Sequence, residues 1–305
     1  MLRQWLVLAA LLGPAVLPAQ PWAAAALPRM PDLRAYDRVL VIAPHPDDES
    51  LCCAGLLQQA VERGASVGVV WITAGDGFEF DAMLVQHTLW PGSAVMRRFG
   101  ALRLREAQAA ADELGVPRAA QYILGYPDRG LLALSGDYYS RPYHSTYTGA
   151  SAVPYTSALS PGASYTGANL ERDLERVIAE FRPTLVLAAA PQDRHTDHSA
   201  SGALTRRVLE RRGELGALRY WIVHAPSWPR PRGLELDLDL TPPANAAALG
   251  WQSAPLTAPQ RARKLAALRD HGSQMQWMQP FLESFVRANE IFAPASAEAA
   301  AARPP

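Results

Sequence analysis

A histidine and three acids stand within five positions of one another at His45-Pro46-Asp47-Asp48-Glu49. Imidazole and carboxylate groups are the ligand types that suit a borderline divalent metal such as zinc. Pro46 fixes its φ and cannot continue a strand ladder, so it turns the chain and stiffens the spacing between His45 and Asp48. A second cluster follows much later, at Asp193-Arg194-His195-Thr196-Asp197-His198. His195 and His198 are three apart, so on a helical turn both face one point. His45, Asp48 and one of these two histidines make a three-ligand set with a fourth position open, the pattern of a catalytic zinc rather than a structural one. A closed structural site commonly draws on four cysteines, and the chain has two. Asp47, Asp48 and Glu49 would by themselves complement a helix dipole, but that role leaves the histidine and the two prolines at the same turn unexplained.

Two strands must bring these clusters together. The aliphatic run at residues 38–43 reads as a buried parallel strand and residues 51–60 as a helix, so the first cluster sits at the carboxyl end of a strand, where open α/β sheets place their ligands. Residues 183–188 form a second apolar strand, and a helix over 199–211 follows the second cluster. Between and beyond them the pattern predicts strands at 66–73, 122–124 and 218–224, and helices at 94–114, 169–181, 258–269 and 279–291. This alternation argues a Rossmann-like three-layer α/β/α sandwich with a mostly parallel sheet.

The chain resembles the PIG-L (LmbE-like) family of zinc-dependent N-acetylglucosaminyl deacetylases. Pro44-His45-Pro46-Asp47-Asp48-Glu49 is close to the family's Ala-His-Pro-Asp-Asp-Glu signature, and His195-Thr196-Asp197-His198 matches its His-x-Asp-His. Shorter matches lie at Thr73-Ala74-Gly75-Asp76-Gly77, Arg105-Glu106-Ala107, Leu124-Gly125-Tyr126-Pro127-Asp128, and Lys264 with His271-Gly272-Ser273-Gln274. Together they span about residues 38 to 290 in the family's order. Pro44 stands where alanine is usual, and an extended segment follows Asp128. The resemblance implies one zinc ion per chain on His45, Asp48 and His198, with Asp47 as general base and His195 as the hydrogen-bond donor to a tetrahedral oxyanion. It also implies that Arg105 and Asp128 contact the sugar.

Composition fits a globular chain with ample apolar content and a formal net charge of zero. No basic run points to nucleic acid, and near-neutral charge gives no electrostatic pull toward an anionic polymer or membrane surface. Residues 1–25 read as a secretory signal peptide: a positive start, an apolar run broken by Gly13-Pro14, and small-residue cleavage sites. The apolar core is too short to span a bilayer, so no stable membrane insertion is expected after cleavage. Residues 30–293 are expected to form one deacetylase domain, with a disordered tail over 294–305. Cys52 and Cys53 are adjacent, give no disulfide scaffold, and are expected as small buried core residues.

Residues 131–168 hold six of the ten tyrosines (138, 139, 143, 147, 155 and 165) amid Ser, Thr, Gly and Pro. A tyrosine offers a flat apolar face and a hydroxyl, which suits a sugar ring; Tyr143 and Tyr147 are the candidate contacts. The alternative is that the tyrosines pin a long loop to the surface. Phe78, Phe80, His87 and Trp90 form a second candidate wall, and Trp221, His224 and Trp228 a third, with His224 as a further substrate contact. The expected activity is zinc-dependent removal of the N-acetyl group from an N-acetylglucosamine-containing saccharide outside the cytoplasm. A non-catalytic, metal-containing sugar-binding module is the competing class; it gives no reason for both histidine clusters. A nucleotide-binding Rossmann enzyme would need a Gly-rich turn where His-Pro-Asp-Asp stands.

Overall fold

The computed structural model describes residues 26–295. The elements, in chain order, are β1 (Arg38–Ala43), α1 (Asp48–Glu62), β2 (Ser66–Thr73), α2 (Glu79–Val85), α3 (Ser93–Glu113), β3 (Gln121–Tyr126), α4 (Leu131–Ser135) and α5 (Gly167–Phe181). They continue with β4 (Leu185–Ala189), α6 (Thr196–Arg211), β5 (Leu218–Trp221), β6 (Gln252–Pro255), α7 (Ala258–Asp270), α8 (Gly272–Glu283) and β7 (Asn289–Pro294). Strands rich in Val, Ile and Leu are buried along nearly their whole length, as a sheet covered on both faces requires.

The seven strands form one sheet in the order β3-β2-β1-β4-β5-β7-β6. β1 to β5 run parallel, and β7 and β6 add an antiparallel edge. Helices α1, α3 and α7 pack against one another on one side; α4, α5 and α6 do so on the other. This is the three-layer α/β sandwich expected from the alternation. The chain steps outward from β1 to β3, then returns to place β4 on the other side of β1, so the direction of winding reverses between β1 and β4. The carboxyl ends of those two strands flank the crevice that such a reversal opens, and the two histidine clusters follow those strands directly.

The last third of the chain departs from expectation. The helix expected over 279–291 ends at Glu283, and 289–294 is a strand. No glycine or proline separates Phe281 from Ala293, so local pattern carries no stop signal, and the strand exists because β5 and β6 pair with it from distant sequence. Pro294 itself closes β7 opposite Arg219, so the expected tail starts later than 294; its remainder, residues 296–305, lies outside the described residues, as does the expected signal peptide. β5 ends at Trp221 rather than 224 because the Asp193 carboxylate takes the N–H groups of Val223 and His224 away from the ladder. Cys52 and Cys53 are buried in α1 as expected, but are joined to each other in a disulfide.

A polar clamp fixes α1 from the side. Glu290 of β7 accepts from the N–H groups of Gly55 and Leu56 at 2.8 and 2.9 Å. Lys264 of α7 donates to the Leu51 carbonyl at 2.8 Å and to Glu290 at 2.7 Å. Both side chains are buried, so the pair joins α1, α7 and β7 in the helix that starts at the first cluster. At the second cluster Gly202 performs the equivalent task by its size: a Cβ there would lie 1.9 Å from the Ala189 carbonyl, so only glycine lets α6 seat this closely on the end of β4.

Candidate active site

Three donor atoms from the two strand ends form a nearly equilateral triangle. His45 Nδ1 lies 3.2 Å from His198 Nε2 and 3.4 Å from Asp48 Oδ2, and His198 Nε2 lies 3.3 Å from Asp48 Oδ2. Donors at tetrahedral zinc–ligand bond lengths are separated by roughly 3.3–3.4 Å, so these three fit one tetrahedral cation with its fourth position free. Asp48 Oδ2 is held in place by the His45 backbone N–H at 2.9 Å. His195 lies close by, with a ring nitrogen within 4.8 Å of those of His45 and His198.

Charge favours the same conclusion. Asp47, Asp48, Asp128, Asp193 and Asp197 are all buried around these histidines, and among the described residues Arg103 is the one arginine or lysine side chain paired with any of them. Burial alone would strip protons from the imidazoles, yet the surrounding carboxylates raise His45 well above its ordinary value and His198 to about 10. Burial pushes Asp48 up, but His198 and His45 outweigh it and hold the carboxyl well below the usual range. A pocket this anionic, which clings to protons on its imidazoles, is one in which a divalent cation neutralises a large uncompensated charge.

Each donor imidazole is oriented from behind. His198 Nδ1 faces Asp193 Oδ2 at 3.1 Å, and that same oxygen accepts from Val223 and His224 N–H while Oδ1 accepts from His195 N–H. Asp193 therefore fixes His198 and ties β4 to the segment after β5. His45 Nε2 meets Asp128 Oδ1 at 3.2 Å and Asp197 Oδ2 at 3.4 Å. Asp197 in turn accepts from the N–H groups of Arg129 and Leu131, docking the turn after β3 onto the start of α6. Asp128, expected at the sugar, does line the cavity, but its carboxylate is also spent on His45 and on the Gly77 N–H at 2.7 Å. Carboxylates that grip a metal-ligating histidine from behind are a recurrent device. Asp193 went unassigned in the sequence, although an acid two residues before the histidine pair was there to be read.

Asp47 sits at the start of α1 with φ 119° and ψ −29°, a conformation that non-glycine residues rarely adopt. Arg103 holds it there, donating to Asp47 Oδ2 at 3.0 Å, to the Pro46 carbonyl at 2.7 Å and to the Gly75 carbonyl at 2.9 Å. Gly75 is obligatory at this point: a Cβ would lie 1.9 Å from the guanidinium, and its φ is +65°. Burial lifts the Asp47 carboxyl to about 7, against the pull of Arg103. The arginine that reaches the site is thus Arg103 and not Arg105, which is exposed on α3. Two residues are about 200° apart around a helix. Arg103 shares the face of the buried Met96, Phe99, Ala107 and Ala110, and a basic residue within that apolar stripe was the signal for it.

A cavity of about 200 Å³ adjoins the triangle, lined by His45, Asp47, Asp48, Phe78, Arg103, Asp128, His195, His224, Met278 and Phe281. His195 caps α6, its Nδ1 accepting from the Asp197 N–H at 3.2 Å. The remaining proton then belongs on Nε2. Burial and the neighbouring imidazoles lower His195 to about 2, so it is a neutral N–H donor. His224, expected as a substrate contact, lines the cavity, whereas Tyr143 and Tyr147 do not. Tyr143 packs edge-on against Tyr138, and Tyr147 lies under the Arg129 guanidinium. Tyr155 and Tyr165 are core residues, Tyr155 donating to Asp76. A long loop with little regular structure needs apolar mass of its own, and the tyrosines supply it. Of the other aromatic candidates, Phe78 lines the cavity, Phe80 packs on Trp277, Trp90 is exposed, and Trp221 is buried against His198.

Glu49 and His271 close the base of the site. Glu49 accepts from Trp71 Nε1 at 2.9 Å and pairs with His271 at 3.0 Å, which pins α1 to β2 and to the start of α8. The first signature thus divides its labour: His45 and Asp48 face the cation position, Asp47 faces Arg103, and Glu49 faces the core.

Sequence and fold comparisons place the chain in a known family. The family profile for GlcNAc-PI de-N-acetylases, PIG-L, matches residues 40–209, more than half of the chain. The protein belongs to the PIG-L family. A 1D-myo-inositol 2-acetamido-2-deoxy-alpha-D-glucopyranoside deacetylase from Mycobacteroides abscessus is 28% identical over 261 residues, 78% of this chain and 81% of the relative. The Rhodococcus erythropolis enzyme of the same name is 27% identical over 183 residues, 57% of this chain. The match spans about half of that relative, 53% of its length. In fold, the crystal structure of the A40926 pseudoaglycone deacetylase superposes with a TM-score of 0.55 at 22% identity, covering 84% of this chain and 96% of that one.

Proposed function

We propose that this protein hydrolyses the N-acetyl group of an N-acetylglucosamine-containing saccharide, using one zinc ion held by His45, Asp48 and His198. The donor triangle, with edges of 3.2 to 3.4 Å and with His45 and Asp48 lining the cavity, is the observation that carries the reading. Relatives named as deacetylases of acetamido sugars support it. A zinc ion, when bound, supplies a Lewis acid for the acetamide carbonyl and brings the pKa of a coordinated water to about 7.

The protein's own groups do the rest. Asp47 accepts the proton of the attacking water and returns it to the departing amine, a role suited to a carboxyl that burial lifts to about 7 and that a cation bound beside it would keep ionised. Arg103 orients that carboxylate through its bond to Oδ2. His195 offers its Nε2 proton to the oxygen that gains negative charge as the carbonyl becomes tetrahedral. Phe78, Met278 and Phe281 give the sugar an apolar wall and exclude water above the reacting centre.

The signal-like residues 1–25 favour an acceptor outside the cytoplasm, in the cell envelope or an exopolysaccharide. The test is acetate release by the purified, zinc-supplemented protein from free N-acetylglucosamine, chito-oligosaccharides and envelope polysaccharide. Chelator-sensitive acetate release is expected. Saccharide binding without acetate from any of the three would make the protein a sugar-binding module instead.

A further inference from the structure

Asp81 of α2 is fully buried, and neither of its carboxylate oxygens has a hydrogen-bond partner among the described residues. An unpartnered buried carboxylate is costly. Complementing the α2 dipole does not require burial, since Glu79 stands in the same first turn and is exposed. Arg103 Nε on α3 and Gln274 Oε1 on α8 are likewise buried and without a partner. These atoms belong to one cluster. Burial lifts the Asp81 carboxyl to about 6; Arg103 and then Gln274 pull it back, and Glu106 adds to the rise.

The guanidinium is anchored along one edge only. Its two terminal nitrogens serve the Gly75 carbonyl, the Pro46 carbonyl and Asp47 Oδ2, and Nε is left over. Glu106 is committed elsewhere, accepting from the Ser273 N–H at 2.8 Å and from the Ser273 hydroxyl. Asp47 is the one ion-pair partner of Arg103 among the described residues, so Asp81 acts on the guanidinium without touching it. A single water suits that relation. It would accept from Arg103 Nε and donate to Asp81 and to Gln274 Oε1, and about three such bonds are what holds a buried water. Beside this polar cluster the packing of α2 on α3 is apolar, with Ala82, Met96 and Phe99 buried together and Phe78 and Val85 against them. In such surroundings a charge-assisted link is strong and holds one geometry.

We propose that Asp81 is a positioning residue for the reaction: through one ordered water on Arg103 Nε it fixes the guanidinium that orients the Asp47 carboxylate. The inference rests on the reading of Asp47 as the general base. Arg103 then spans two carboxylates, Asp47 by a direct bond and Asp81 through water. Phe78, which lines the cavity, caps the helix that carries Asp81, so one short helix serves both the cavity wall and the base.

Two variants of the zinc-supplemented protein test this: Asp81→Asn, which keeps the shape and loses the charge, and Asp81→Ala, which removes both oxygens. Turnover is read as acetate release from an N-acetylglucosamine glycoside. Both variants should lose about tenfold in kcat, the worth of a charge-assisted bond, with KM and zinc content unchanged. The urea midpoint of Asp81→Asn at pH 7.5 should not fall, because a carboxyl raised by burial opposes folding once it ionises. A fall in that midpoint that accounts for the lost turnover would make Asp81 a structural residue and overturn the proposal. In an Arg103→Met background neither variant should lower kcat further, and additive losses would also overturn it. Crystals of the wild type and of Asp81→Asn decide the matter independently of turnover. One water bonded to both Arg103 Nε and Asp81 is expected in the wild type, and loss of the single Arg103 position in the variant. Density without that water, or an Arg103 unmoved in the variant, would overturn the proposal. Absence of acetate from every protein, with both crystal results as expected, would count against the hydrolase reading alone.

Discussion

At the scale of the residue, the site separates holding from reacting. Asp47 and Asp48 are neighbours, yet one points to Arg103 and the other to two imidazoles. Asp47→Asn should therefore keep its metal while losing about two to four decades in kcat, the usual worth of a general base. Metal analysis beside turnover checks this, and an emptied site would mean that the two aspartates have exchanged roles. Asp193→Asn should act in the opposite way. Its Oδ2 faces His198 Nδ1 and also receives two backbone N–H groups. Losing that charge should cost about 10- to 100-fold in zinc affinity, read by competition with a chromogenic chelator, and unchanged affinity would remove Asp193 from the account. The sequence reveals the candidate donors His45 and Asp48 because proline and neighbouring acids mark them. It hides Arg103, because a side chain that enters the site from the middle of a helix announces itself only through helical phase.

At the scale of the element, two contacts decide how firmly the helices carry these residues. The Lys264–Glu290 pair is buried and joined to α1 backbone at both ends. Glu290→Gln removes the only carboxylate paired with Lys264 among the described residues and strands a buried ammonium, which should cost about 3–5 kcal/mol of stability by urea denaturation. A loss below about 1 kcal/mol would mean that water reaches the pair. On the opposite face, Glu171 of α5 pairs with Arg207 and Arg211 of α6. Burial opposes its ionisation, but the two arginines prevail and lower its carboxyl. A carboxyl lower in the folded state than in the unfolded chain stabilises above the unfolded value of about 4.3 and ceases to do so as pH falls through the folded one. Because both arginines are partly exposed, Glu171→Gln should cost only about 1 kcal/mol at pH 7. The difference from wild type should shrink as pH falls below about 4.3 and vanish once pH is below the lowered folded value, and a constant difference across pH would show that charge is not its cause. Strands β1 and β4 were readable because central parallel strands are apolar throughout. β6 and β7 were not, since short antiparallel edge strands are specified by partners far away in sequence.

At the scale of the whole molecule, the parallel sheet reverses its winding between β1 and β4, and every residue assigned to the reaction lies at or beside the opening this creates. His45, Asp47 and Asp48 come from one strand end, His195 and His198 from the other, and Arg103 reaches in from α3. The meeting of the two clusters follows from strand alternation and the two motifs, which is why the fold was legible in the sequence, whereas the choice of His198 over His195 as third donor came only from the family resemblance. The substrate surroundings were not legible. The tyrosine-rich segment looks like a sugar platform by composition, but Tyr155 and Tyr165 are buried in the main core and neither Tyr143 nor Tyr147 lines the cavity. The central claim is that the two clusters make one cation site, and X-ray diffraction at the zinc absorption edge on crystals grown with stoichiometric zinc tests it most directly. A single anomalous peak within bonding distance of His45 Nδ1, Asp48 Oδ2 and His198 Nε2 is the expected result. A peak coordinated elsewhere, or none at those three atoms, would contradict the account.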